Sequence, residues 1–154
     1  MRDPLVVALT RALGIRVDDA ATPVGGGSIH SAYRYRTERG QIFVKVCTLR
    51  AEAMLAAEAD GLRELASAQA IRVPEVLALG KLEDRAFICL EWLAFGTPSR
   101  TANSRLGEQL AALHAKTAPE YGWHQDNFIG LTPQCNRPHA RSEERRVGKE
   151  CRSR

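Results

Sequence analysis

Gly25-Gly26-Gly27-Ser28 stands between two stretches of strand-forming residues. Consecutive residues without Cβ atoms let backbone N–H groups approach a phosphate closely. Lys45 follows in Phe43-Val44-Lys45-Val46, where an ammonium among apolar neighbours is costly to bury without an anion. Glu58 comes thirteen residues later, at the end of the apolar run Met54-Leu55-Ala56-Ala57. A glycine loop, a strand lysine and a helix glutamate in this order can grip phosphate groups, the carboxylate holding the lysine in place. Taken singly, each has a plainer reading: a glycine hairpin turn, an outward-facing lysine on an alternating strand, a solvated glutamate. The loop is not a Walker A sequence, because no Gly-Lys-Ser/Thr follows and no helix opens after it.

The elements that must position these residues are legible in outline. Asp3-Pro4 reads as a helix cap and first helical residue, with Leu5, Val6, Leu9 and Leu13 at helical spacing and Gly14 as the stop. Strands are expected at 20–24, 31–37 and 41–46, with Glu38-Arg39-Gly40 as a tight turn. Residues 51–69 form the clearest helix, with Met54, Leu55, Ala57, Leu62 and Leu65 as its apolar stripe. A second hairpin covers 75–81 and 86–92 around Glu83-Asp84-Arg85. An extended linker runs over 93–103, a helix over 105–116, and the region 120–135 reads as loop.

In consecutive order, GGGSIHSAYRY, GQIFVKV, AAEADGLRELA, VPEVLALG, FICLEWL, LGEQLAALH and YGWHQDNFIGLTPQCN resemble the fructosamine kinase (ketosamine-3-kinase) family over about residues 5–138. The DNFIG-TPQ-N block is the most specific part; general kinases and aminoglycoside phosphotransferases share the lysine, glutamate and hinge logic but not that block. The resemblance implies an α+β, protein-kinase-like fold: a five-stranded antiparallel N-lobe with an inserted helix, plus the first helix and loops of a truncated helical C-lobe. It places the N-lobe and hinge at residues 1–93 and the start of the C-lobe at 94–140, ahead of a tail at 141–154 that is expected to be non-native on separate grounds.

It also implies ATP and Mg2+ as cofactors. The reaction would be transfer of phosphate to the third-carbon hydroxyl of a sugar carried on an amine, either a small ketosamine or a glycated protein amine. The phosphorylated adduct then falls away. Gly25, Gly26, Gly27, Ser28 and Lys45 would hold the phosphates, and Glu58 would hold Lys45. Glu91, Trp92 and Leu93 would form the hinge that meets adenine through the Glu91 carbonyl and the Leu93 N–H. The Glu91 side chain itself reads as an ordinary strand-end carboxylate. His114 reads as a core or surface histidine. Asp126 and Asn127 would brace a loop that approaches substrate, though a turn or cap role fits them as well. The family's His-Gly-Asp-Leu-type catalytic loop and later metal-binding aspartate have no counterpart, so no catalytic base and no metal ligand is assigned in this chain. A related small-molecule kinase of the aminoglycoside or choline type, or a non-catalytic nucleotide-binding module, are the alternatives.

The departure has a proposed origin in the last fourteen residues. Arg141–Arg154 (RSEERRVGKECRSR) resembles the translation of a synthetic adapter used in sequencing libraries, so the native protein is expected to continue beyond Ala140. The other reading is a genuine basic tail. The segment carries six basic and three acidic residues and so supplies most of the formal +4 charge. The pI near 9.1 is therefore no sign of a nucleic-acid or membrane partner. Cys47, Cys89 and Cys135 lack paired spacing and read as thiols of a reducing, cytoplasmic setting. No apolar run reaches the roughly 18 residues of a membrane span. The oligomeric state is unknown from sequence.

Overall fold

The computed structural model describes residues 2–25 and 29–141. Gly26, Gly27 and Ser28 lie outside the described residues, as does the tail from Ser142 onward. The chain divides into two compact units, Met1–Leu113 and His114–Arg154.

The first unit is a five-stranded antiparallel sheet with a helix against each face. α1 (Pro4–Leu13) begins where the Asp3 carboxylate accepts the Leu5 N–H at 2.8 Å, and ends at Gly14, whose φ of +66° is left-handed. Both ends match the expected signals. Leu5, Val6 and Leu9 of α1 are buried, and burial of such side chains stabilises by about 1.5–3 kcal/mol each. They pack with Val17, Tyr35, Ile42, Val44, Val46, Phe87 and Cys89.

Strands β1 (Thr22–Pro23), β2 (Ser31–Thr37), β3 (Gly40–Thr48), β4 (Val76–Leu82) and β5 (Arg85–Glu91) lie in the order β1-β2-β3-β5-β4. This is the expected pair of antiparallel hairpins. β1 is shorter than its expected span, although the Val24 N–H still donates to the Ala32 carbonyl at 2.9 Å. The β2–β3 turn is Glu38-Arg39, where the Thr37 hydroxyl accepts the Arg39 N–H and donates to the Gly40 carbonyl. The β4–β5 turn puts Glu83 at φ +50°.

A single 3-10 turn, Leu49–Ala51, leads into α2 (Glu52–Ser67). The helix stops short of its expected end at Gln69, which itself takes φ +51°. The inward stripe is Leu55, Glu58, Ala59 and Leu62, with Leu55 and Ala59 fully buried and Leu65 exposed. Leu65 lies along the same side as Glu58, at the margin of the face centred on Leu55 and Ala59, and near the end of the helix it stays exposed. Leu55, Ala59 and Leu62 pack on Cys47, Ala86, Ile88 and Leu90, which is the sheet face opposite α1.

α3 spans Arg100–His114, starting earlier than the expected helix. Ser99 explains this: its hydroxyl accepts the Ala102 N–H and its carbonyl the Asn103 N–H, a cap that begins the helix inside the expected linker. No residue of α3 is buried, and Leu106 and Leu110 are exposed.

The second unit corrects the expected loop at 120–135. It contains a short hairpin, β6 (Asn127–Ile129) with β7 (Thr132–Gln134), turned at Gly130 with φ +59°. Tyr121 and His139 exchange backbone hydrogen bonds to close its base. Strands of three residues, one of them holding Pro133, show no readable alternation, so periodicity gives no signal for them.

Candidate functional site

In β3 the side chains alternate between the two faces of the sheet. Ile42, Val44 and Val46 join the core beneath α1, which sends Phe43, Lys45 and Cys47 to the α2 face. Glu58 stands on the inward stripe of α2 and meets Lys45 there, with Nζ 2.6 Å from Oε1. The two side chains keep 29% and 28% of their exposure. The pair is therefore desolvated enough to be held, yet the ammonium keeps an open side toward solvent.

Lys45 lies opposite Ala32 on β2 and Ile88 on β5, and Phe43 opposite Arg34 and Leu90. Trp92, just beyond β5, rests beside Phe43 at 6.5 Å between ring centroids, with the Arg34 guanidinium 5.3 Å from its own centroid. Successive same-face positions on a strand are about 7 Å apart. The aromatic exit of β5 and the lysine therefore share one face, two residues apart along β3.

Glu91 ends β5 in a more constrained way than a plain strand-end carboxylate. Its backbone N–H donates to the Glu75 carbonyl at 2.9 Å. Its carboxylate pairs with the Arg72 guanidinium and accepts the Glu75 N–H at 3.5 Å. These bonds fix the point where the chain leaves the sheet. Trp92 and Leu93 are half-buried, and residues 92–99 carry no helix or strand. Gly25 is described and has open space where a Cβ would stand; Gly26, Gly27 and Ser28 lie outside the described residues.

Two residues that sequence reasoning does not single out carry local roles. His30 closes the GGGSIH run; its Nε2 is shut off from solvent and has no hydrogen-bond partner among the described residues. Burial, then the Lys45 charge, hold its pKa below the ordinary histidine value, against a smaller opposing pull from Glu58. Asn136, in the second unit, is the only buried polar or charged residue among those described. Its Nδ2 donates to Asn127 Oδ1 at 2.7 Å, its Oδ1 accepts from Gln134 Nε2 at 2.8 Å, and its backbone N–H donates to Asp126 Oδ1 at 2.9 Å. Asp126 and Asn127 thus hold their own hairpin together through Asn136. The signal for Asn136 lies in the TPQ-N block. His114 is exposed at the end of α3.

A concavity of about 530 Å³ lined by Val7, Arg11, Lys81 and Phe87 among others lies on the α1 side, away from Lys45. Among the described residues no three His, Cys, Asp or Glu side chains stand together as a metal site. No helix among them is long and apolar enough to cross a membrane.

With a lysine–glutamate pair between strand and helix, and a braced exit from β5 on the same face, the comparison with known proteins decides the family. The sequence profile described as fructosamine kinase matches residues 7–144. The chain belongs to the fructosamine kinase family. It is 41% identical over 116 residues to a chloroplastic protein-ribulosamine 3-kinase of Oryza sativa subsp. indica, covering 73% of this chain and 34% of that protein. It is 40% identical over 114 residues to a probable ketoamine kinase of Synechocystis sp., covering 73% of this chain and 39% of the relative.

A crystal structure from Thermobifida fusca that bears the designation fructosamine-3-kinase aligns with a TM-score of 0.73 and 29% identity, over 88% of this chain and 47% of that one. A second, from Haemophilus somnus, aligns with a TM-score of 0.78 at 24% identity and speaks for the fold. Members of the family are kinases with the protein-kinase-like architecture seen here. The chain spans less than half the length of these relatives.

Proposed function

We propose that this chain supplies the nucleotide-gripping part of an ATP-dependent ketosamine 3-kinase. The Lys45–Glu58 pair at 2.6 Å carries the reading. Lys45 holds the ATP phosphates through its open side, and Glu58 fixes the ammonium so that little reordering is needed when they arrive. The segment Gly25, Gly26, Gly27 and Ser28 covers the phosphates with backbone amides. The Glu91 carbonyl and Leu93 N–H receive the adenine edge, with Trp92 anchored on Phe43 beside them. Asp126 and Asn127 brace the hairpin that approaches the sugar.

The phosphoryl acceptor is the third-carbon hydroxyl of a ketosamine, free or on a glycated protein amine, in the cytoplasm. Mg2+ shields the transferring phosphate when bound. The carboxylates for the metal and the base aspartate are not assigned to residues of this chain, and binding without transition-state stabilisation gives no rate. Nucleic acid is not a partner in this reading, since most of the formal positive charge sits in 141–154.

The test is transfer of label from γ-labelled ATP to synthetic ribulosamine and fructosamine, with an aminoglycoside and choline as controls. The 154-residue chain and the product of the complete open reading frame are compared. The reading requires ketosamine phosphorylation by the complete product and none by the shorter chain. Transfer only to the aminoglycoside or to choline would replace the substrate class. Transfer by the shorter chain would show that the catalytic groups lie within it.

A further inference from the structure

His30 immediately precedes β2, two residues ahead of Ala32, and Ala32 lies directly opposite Lys45. Its Nε2 is buried with no hydrogen-bond partner among the described residues. A buried nitrogen left this way is unfavourable, because it has lost water and gained no partner. The charges of Lys45 on β3 and Glu58 on α2 both act on it, in opposite directions, and these two are bonded to each other. Neither bonds the imidazole Nε2: the ammonium disfavours its protonation, and the weaker pull of the carboxylate does not offset this together with burial. A ligand supplying negatively charged oxygens beside Lys45 would give Nε2–H an acceptor and favour the imidazolium.

We propose that His30 Nε2 is a phosphate contact of the nucleotide site beside Lys45, and that phosphate binding is coupled to uptake of a proton by this imidazole. The proposal rests on the reading of Lys45–Glu58 as the nucleotide site. No bond to phosphorus forms or breaks in this step; one proton passes from water to the ring.

Imidazole NMR signals can be followed through a pH titration of the 154-residue chain alone, with MgADP, and with adenosine, which lacks phosphate. The His30→Asn variant identifies the signal among the four histidines. The Trp92 indole N–H, in the same samples, reports whether ligand reaches the hinge. The His30 midpoint should lie below its ordinary value without ligand, rise by about 1–3 units in MgADP, and stay put in adenosine. ADP affinity should tighten as pH falls from about 7.5 to about 6, and this dependence should flatten in His30→Asn. A Trp92 shift without a His30 shift overturns the inference and leaves the nucleotide site standing. An equal His30 shift with adenosine overturns the phosphate contact. If neither signal responds to MgADP, the nucleotide-site reading fails and takes the inference with it.

Discussion

Lys45 Nζ on β3 lies 2.6 Å from Glu58 Oε1 on α2, joining the sheet to the helix that packs on it. Both side chains are less than one-third exposed, so each depends on the other for compensation of lost hydration. Lys45→Met should therefore destabilise the chain by about 1–2 kcal/mol, by leaving the Glu58 carboxylate half-buried and alone. The double variant Lys45→Met/Glu58→Leu should recover part of that loss. Urea denaturation of the four-member cycle checks this; strictly additive effects would mean the pair is not coupled.

Gly80 and Gly61 should respond to alanine in opposite directions. A Cβ at Gly80 would stand 2.3 Å from Phe87 Cζ, in the core under α1. Gly80→Ala should cost about 1–3 kcal/mol through displacement of that ring. Gly61 lies within α2, with open space where an alanine methyl would stand, so Gly61→Ala should stabilise by about 0.5–1 kcal/mol. Thermal melts of the two variants against the parent decide both signs.

Asn136 tests whether the Asp126–Gln134 hairpin is one unit. Asn136→Asp keeps the shape but replaces the Nδ2 donor to Asn127 with an acceptor, and sets a second carboxyl near Asp126. The expected loss is about 1–3 kcal/mol within the second unit. Amide exchange should accelerate at Trp123 and His139, whose N–H groups bond across this hairpin. Exchange unchanged at both amides would show that Asn136 does not hold it.

The chain should weaken in alkali. Burial pushes the Cys89 thiol up to about 12 from an ordinary 9.0. Burial, with the Asp3 charge second, pushes Tyr35 up to about 12 from 10.0. Both groups lose their protons first in the unfolded state. Their contribution is therefore complete below pH 9.0 and falls as pH rises toward about 12. Cys89→Val should flatten the decline by up to about 1.4 kcal/mol per pH unit. Denaturation midpoints across this range give the slope; equal slopes in parent and variant would contradict the assignment.

What the sequence discloses follows from how local each signal is. Asp3 and Gly14 set the ends of α1 with bonds to residues within four positions, so both are readable. Alternation in β2 and the short apolar runs of β3 and β5 point to the sheet, and the Lys45–Glu58 pair follows from two apolar contexts. The N-terminus of α3 escapes a reading in which Ser99 belongs to the linker, although its hydroxyl caps the helix. The inward stripe of α2 is ambiguous at Leu65 because alanine-rich helices offer several stripes, and only the packed sheet selects one. His30 and Asn136 do not stand out because their importance lies in bonds made, or left unmade, with residues distant in sequence. Pairing of Arg72 with Glu91 is of the same kind.

The most direct test of the central claim is the dissociation constant of MgATP for the parent, Lys45→Met and Glu58→Gln, with adenosine as the phosphate-free control. Circular dichroism confirms that each variant is folded. The account predicts that Lys45→Met weakens MgATP binding by about tenfold or more, Glu58→Gln by less, and that adenosine binding is unchanged in both. Equal MgATP affinity in the folded Lys45→Met variant and the parent would contradict it.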